Sequence, residues 1–151
     1  MPPQQTLDRH PVPRFEDDEY LFRRYISSHF HEGELDPSAI RFDEPPSFLR
    51  SGFSTPADAL HVDCAEGQVV TAFGVLAMQA NAASGQESTE DGNTFTFLPS
   101  HQPLPSCYAH SEIHCLRAGD PNYQHTEPPK RIRKAFRLRI ARALSVAIPA
   151  P

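Results

Sequence analysis

Short runs in which apolar and polar residues alternate are spread along most of the chain. Residues 20–26 are rich in aromatic side chains, 38–42 and 47–50 alternate after prolines, and 94–97 alternate again. A period of two is typical of a strand with one buried face. Proline cannot donate to a strand ladder, so 38–42 and 47–50 are predicted to be edge or irregular strands.

The most apolar stretch covers residues 68–78 and contains several β-branched side chains. This composition favours a central strand, followed by a turn or short helix. The polar stretch 84–92 predicts a loop, and 99–106 is a proline-bearing connection into the next strand.

Two segments carry helix patterns. Thr55 can cap a helix, Pro56 suits its first position, and Asp58 is an acidic residue in its first turn. This pattern predicts a short helix from Pro56 to about Asp63. The second helix is predicted from Pro128 or Pro129 to about Ala147. Its apolar stripe consists of Ile132, Phe136, Ile140, Ala143, Leu144 and Ala147.

Together these elements predict an α+β fold: a small mixed or antiparallel sheet with one short helix and a long basic C-terminal helix. A length of 151 residues suits one domain, and sixteen prolines indicate a loop-rich chain. We expect a disordered N-terminal arm over 1–15, a single α+β domain over 16–147 and a disordered tail over 148–151.

Composition narrows the class of protein. The first residues lack the basic and apolar regions of a secretory signal, and no run approaches the roughly 20 apolar residues of a membrane span. Three cysteines are an odd number and few for a disulfide scaffold, which favours a reducing compartment. The expectation is a cytoplasmic protein without membrane contact, and no cofactor is assigned.

Charge is divided unevenly along the chain. All nineteen acidic residues lie before position 128 together with seven basic ones, whereas seven basic and no acidic residues follow. The basic residues after position 128 lie on the predicted C-terminal helix. A basic helix is suited to an acidic protein partner or to nucleic acid phosphates, which makes an accessory or interaction module the leading hypothesis. The alternative is a solvated helix face that pairs with the acidic body. The candidate binding residues are Lys130, Arg131, Arg133, Lys134 and Arg137.

The run 106–115 is the richest in chemistry. It predicts a strand on which His110, Glu112 and His114 share one face. A histidine pair can act as general acid and base, as in metal-free phosphodiester cleavage, and an adjacent carboxylate can orient an imidazole. Arg23, Arg24 or Arg41 could stabilise charge on a phosphate, and with Arg24 in that role these residues define the competing hypothesis, an enzyme acting on a phosphate-containing substrate. The ordinary alternative is a solvated strand face.

A zinc site is a third interpretation of the same region. His61 and Cys64 have the spacing H-x2-C, and two further ligands would come from Cys107, His110, His114 and Cys115. The spacing matches no standard zinc module, and on a strand the cysteines and histidines fall on opposite faces. Small buried cysteines are the alternative.

Two resemblances bear on these residues. An arginine, a Ser/Thr pair and a glutamate on successive strands resemble the pattern of ADP-ribosyl-transferring toxins, here through Arg24, Ser54 and Glu112. Residues 20–116 also resemble short bacterial proteins with no assigned activity. Those proteins share an arginine pair, an S-A-x-x-F segment, a T-P-x-x-x-L helix and an A-H strand, here residues 23–24, 38–42, 55–60 and 109–110.

Overall fold

A computed structural model describes residues 10–61, 73–122 and 124–151. Within these ranges the chain forms a seven-stranded antiparallel sheet, a two-stranded sheet and two α-helices, which confirms the α+β class. The seven strands run in the order β6-β7-β8-β4-β1-β5-β9, and β2 pairs with β3. The elements are β1 (Tyr20–Ile26), β2 (Phe30–His31), β3 (Glu34–Leu35), β4 (Ser47–Arg50), α1 (Pro56–Leu60), β5 (Phe73–Gln79), β6 (Gly85–Ser88), β7 (Thr94–His101), β8 (His110–Arg117), α2 (Lys130–Ala143) and β9 (Ser145–Ile148).

Several predicted strands are confirmed. Strands β1 and β4 have the predicted bounds, and β7 contains the predicted 94–97 but continues to His101. Strand β5 takes up the described part of the apolar stretch, while residues 68–72 lie outside the described ranges. A 3-10 turn, Ala80–Ala83, follows β5 where a turn or short helix was expected.

Three strand predictions are wrong. Residues 37–39 form a 3-10 turn instead of entering a strand, because the Asp36 side chain accepts the Ser38 N–H at 2.8 Å and Pro37 starts the turn. Strand β4 lies inside the sheet, since its prolines precede the strand and remove none of its ladder hydrogen bonds. The predicted loop 84–92 contains β6, which pairs with β7.

Helix α1 begins at Pro56, as predicted, and α2 begins at Lys130, one residue after the predicted Pro129. The Thr55 side chain accepts the Asp58 N–H, and the Asp58 carboxylate accepts the Thr55 N–H at 2.8 Å. Helix α1 ends at Leu60, and the predicted end near Asp63 lies outside the described ranges. Helix α2 ends at Ala143 and not near Ala147, because Leu144 takes an extended backbone and β9 pairs with β5.

The core has two layers, one on each face of the large sheet. Helix α2 covers one face, where the Phe136 ring stacks on Phe97 with centroids 3.7 Å apart. Helix α1 covers part of the other face, where Ala59 packs with Phe22 and Val75. Among the described residues, α1 covers only part of this second face, and polar side chains of β1, β4 and β8 lie beside it.

Residues near both ends of the chain make hydrogen bonds to the body of the protein where they are described. Buried Arg50 donates to the carbonyls of Val12 and Arg14, and the His101 ring accepts the Val12 N–H. At the other end, the Ala150 N–H donates to the Tyr25 hydroxyl at 2.9 Å. Residues 10–15 and 150 are therefore held by the body of the protein.

Candidate functional site

Three polar residues lie in one row across β1, β4 and β8, on the face that α1 only partly covers. Ser47 lies opposite Glu112. Phe22 lies opposite Leu49, and the same register continued by two residues sets Arg24 beside Ser47. Directly paired residues point to the same face, and two strand spacings of about 4.8 Å give the row a width of about 10 Å.

A pocket of about 330 Å³ opens beside this row. Arg24, Ser47 and His110 all line it, so the structure brings together two of the predicted catalytic residues and one that was not predicted. Most of the remaining wall is aromatic or aliphatic. The lining residues are Phe22, Arg23, Arg24, Tyr25, Ile26, His29, Ser47, Phe48, Leu49, Ala59, Phe73 and His110.

Two guanidinium groups stand at the pocket. The Arg24 guanidinium carbon lies 4.5 Å from the centroid of the Phe73 ring. Arg23 donates to the Ser47 carbonyl at 3.1 Å and lies 5.5 Å from the Phe48 ring centroid. Burial lowers the pKa of the Arg23 guanidinium from its ordinary high value. The pocket therefore combines fixed positive charge with an apolar wall.

His110 is buried and has both ring nitrogens engaged. Nδ1 lies 2.8 Å from the carbonyl oxygen of Gln102, and Nε2 lies 3.2 Å from Ser47 Oγ. A carbonyl can only accept, so Nδ1 carries the proton and, in the neutral ring, Nε2 is the acceptor. The Ser47 hydroxyl therefore donates to Nε2.

Glu112 and His114 form a second polar pair on the same strand face. His114 Nε2 lies 2.8 Å from the Glu112 carboxylate, and both side chains are mostly buried. The His114 ring lies 5.9 Å from the ring of His125. His125 accepts the Cys115 N–H and contacts the Phe42 carbonyl, and burial lowers its pKa. Neither Glu112 nor His114 lines the pocket, but Glu112 lies beside Ser47, which does.

A second, charged pocket adjoins the first and shares Arg23 and Ser47 with it. Its volume is about 270 Å³, and the Arg41–Asp43 ion pair, 2.9 Å long, stands on its wall. Together the two pockets offer an apolar compartment and a charged one on either side of Ser47.

Ser54, the hydroxyl named in the toxin resemblance, is not in the row. It is buried and donates to the Arg50 carbonyl at 2.7 Å, which caps the end of β4. Ser47 occupies the place between Arg24 and Glu112 instead. Ser47 and His29 were missed because only the strand register and the fold around it, absent from the local sequence, bring them to the pocket.

The predicted zinc ligands do not converge in the described structure. Cys64 lies outside the described ranges, and Cys107 precedes β8 in a turn, on an isolated bridge with Leu104. Cys115 is fully buried, and burial raises its pKa to about 12. Among residues 10–61, 73–122 and 124–151, no group of three His, Cys, Asp or Glu side chains has the arrangement of a metal site.

The basic residues of α2 lie on the far side of the sheet and differ in their surroundings. Arg133 pairs with Glu127, and Arg139 donates to the Ser84 carbonyl at 2.6 Å. Arg137 is partly buried. The exposed residues of the helix are Lys130, Arg131, Lys134, Ala135, Leu138, Arg139 and Arg142.

Comparisons with known proteins give no family. The chain matches no protein-family model, no curated protein and no solved structure. Of the helices in the described ranges, none is long and apolar enough to cross a membrane.

Proposed function

We propose that this protein is an enzyme that acts on a phosphate-containing nucleotide and, specifically, transfers ADP-ribose from a nicotinamide dinucleotide. The observation that carries the proposal is the row of Arg24, Ser47 and Glu112 across three adjacent strands, beside an aromatic-lined pocket. The row has the arginine, serine and glutamate of the toxin resemblance in the same chain order, with Ser47 in place of Ser54 and Phe48 where a Ser/Thr pair would have its second hydroxyl.

Each member of the row has a task in this chemistry. Arg24 holds the diphosphate, because a guanidinium matches phosphate oxygens in charge and geometry. Phe22 and Phe73 provide an apolar surface for the nicotinamide ring. The adjoining charged pocket gives the remainder of the dinucleotide room beyond Ser47.

Glu112 acts at the ribose. When the glycosidic C–N bond breaks, its electron pair passes to the nicotinamide nitrogen and positive charge develops on the ribose ring. A fixed carboxylate stabilises that charge more than it stabilises the ground state. His114 orients the carboxylate, and His110 takes the proton that the attacking acceptor loses.

Phosphodiester cleavage by a histidine pair is less well supported. It requires two imidazoles aimed at one phosphate. His114 points its Nε2 at the Glu112 carboxylate, whereas His110 Nε2 faces the Ser47 hydroxyl. The two rings therefore bind different residues and are not aimed at one phosphate.

Titration calorimetry with NAD⁺ tests the binding part of the proposal. Arg24→Gln should weaken binding about tenfold to a hundredfold, since a hydrogen bond to a charged group contributes about 1.5–3 kcal/mol. Arg117→Gln, a change at an exposed arginine of β8, is the matched control and should bind like the unmodified protein. Equal affinity of Arg24→Gln and the control would contradict the assignment of Arg24.

A second candidate function, polyanion binding by α2, is supported by the exposure of Lys130, Lys134 and Arg142 on a helix without acidic residues. The ion pair of Arg131 with Glu90, 3.5 Å long and largely exposed, is too weak to neutralise this surface. The intended ligand is a nucleic acid backbone, whose phosphates repeat along the strand.

Salt-dependent fluorescence anisotropy with labelled single-stranded RNA tests this surface. Replacing Lys130, Lys134 and Arg142 together with glutamine should reduce the slope of log K against log salt by about 2, at about 0.7 per phosphate contact. Arg14→Gln, a change at an exposed arginine before β1 that pairs with Glu16, is the control. An unchanged slope in the triple variant would rule out this interface.

A further inference from the structure

The Ser47–His110 pair has the arrangement of an activated nucleophile. His110 Nε2 lies 3.2 Å from Ser47 Oγ, and the Gln102 carbonyl fixes the ring through Nδ1. This is a nucleophile, a base and a group that orients the base. We propose that Ser47 is a catalytic nucleophile, activated by His110, that attacks the phosphorus of small phosphate esters carrying an apolar group.

Ser47 and His110 differ in solvent exposure, as a nucleophile and its base should. Ser47 is exposed at the pocket, so an electrophile can approach Oγ, whereas His110 is 8% exposed. The hydroxyl is held by a strand paired on both sides, which fixes its position.

The surroundings select a phosphoryl group over a neutral ester. Arg24 lines the pocket on the neighbouring strand, and Arg23 is attached to the Ser47 carbonyl at 3.1 Å. The Arg24 guanidinium stabilises the negative charge that builds up on phosphoryl oxygens during attack, and the Arg23 guanidinium, which extends from the opposite face of β1, adds positive charge near Ser47. Phe22, Leu49 and Phe73 form a wall for the apolar group of the ester.

The reaction balances with water as the only co-reactant. The Ser47 hydroxyl gives its proton to His110 Nε2 as the Oγ–P bond forms. The bond from phosphorus to the ester oxygen breaks, the leaving oxygen keeps the electron pair, and the His110 imidazolium returns the proton to it. Water then attacks the phosphorus and gives a proton to His110, the P–Oγ bond breaks, and the imidazolium returns that proton to Ser47 Oγ, so that ester and water become phosphate and alcohol.

This inference goes beyond ADP-ribosyl transfer and does not depend on it. A glycosidic bond is broken at carbon, with Glu112 as the central group, whereas here the reacting atoms are Ser47 Oγ and phosphorus. The two proposals can therefore fail separately.

A fluorophosphonate probe tests the nucleophile without any nucleotide. Attack by Oγ displaces fluoride, so intact-mass spectrometry should show one added phosphonyl group, and peptide mapping should place it on Ser47. Ser47→Ala should remain unlabelled, and His110→Gln should label about a hundredfold more slowly. Ser106→Ala, which removes an exposed serine of the 104–107 turn, should label at the original rate.

A cysteine replacement provides a second readout if an alanine variant folds poorly. In Ser47→Cys, iodoacetamide should alkylate Cys at this position faster than Cys107, and adding His110→Gln should remove the difference. Folding of each variant is checked by circular dichroism. Labelling away from Ser47, equal rates with and without His110, or folded protein that stays unlabelled would each overturn the proposal.

Discussion

Replacing Glu112 with glutamine is expected to reduce NAD⁺ turnover by about a hundredfold to a thousandfold while NAD⁺ affinity changes little. The carboxylate acts on charge that exists only in the transition state, so its loss lowers kcat and kcat/KM together. Removal of a single group that stabilises a transition-state charge has effects of this size. The neutral amide keeps the shape of the side chain and retains an oxygen that can accept the His114 hydrogen bond.

The measurement combines NAD⁺ depletion under saturating and limiting substrate with calorimetric binding. Glu87→Gln, on the exposed edge strand β6, is the control and should retain full turnover. A Glu112→Gln variant that turns over NAD⁺ at the original rate would remove Glu112 from the reaction.

The second large effect concerns stability. Arg50→Met is expected to lower the free energy of unfolding by about 3–5 kcal/mol, because it leaves the Glu19 carboxylate buried without its partner. Arg50 and Glu19 have side chains 2% and 4% exposed and are joined by two hydrogen bonds of 2.5 and 2.8 Å. The same guanidinium stacks on Phe15 at 3.9 Å, so the segment before β1 also loses its anchor.

Urea denaturation measures this loss. Arg41→Met, which breaks an exposed pair with Asp43, should cost under about 1 kcal/mol. The double change Arg50→Met with Glu19→Gln should recover part of the loss, since it removes the unpaired charge. Equal stability of the Arg50 and Arg41 variants would contradict the structural role of the buried pair.

Acid sensitivity gives the same pair a second readout. Burial alone would raise the pKa of Glu19, but the hydrogen bond from Arg50, the Glu16 N–H, the Arg50 charge and the Gly52 N–H outweigh it and hold the pKa below its ordinary value. A carboxyl with a lowered pKa stabilises the fold above the range in which it titrates when unfolded. That contribution is lost as pH falls through the lowered pKa, so Glu19→Gln should flatten the acid side of the stability profile.

The sequence predicted local structure well wherever the signal was local. The cap formed by Thr55 and Asp58 predicted the start of α1, and the alternation along β8 predicted one shared face for His110, Glu112 and His114. Periodicity could not place the end of α2, because Ser145–Ile148 gains ladder hydrogen bonds from β5 that only the folded sheet offers.

The sequence predicted only part of the candidate site, because the rest depends on pairing between strands that are distant in the chain. His110 and Glu112 stand out as polar residues on one strand face, but Ser47 sits in a four-residue strand with no catalytic motif around it. Its position depends on pairing with β8, where its partner is Glu112, as well as with β1, which is closer along the chain. Ser54 has the same chemistry in a more suggestive context, yet its hydroxyl is used to satisfy a carbonyl at the end of β4.

Release of nicotinamide from NAD⁺ is the most direct measurement of the central claim. The purified protein is incubated with NAD⁺, and nicotinamide and remaining NAD⁺ are quantified by chromatography, with Arg24→Gln and Glu112→Gln run in parallel. The account predicts that nicotinamide appears in equal amount to the NAD⁺ consumed and that both variants are strongly impaired. NAD⁺ that stays intact with the folded, unmodified protein, or nicotinamide release that both variants retain, would contradict it.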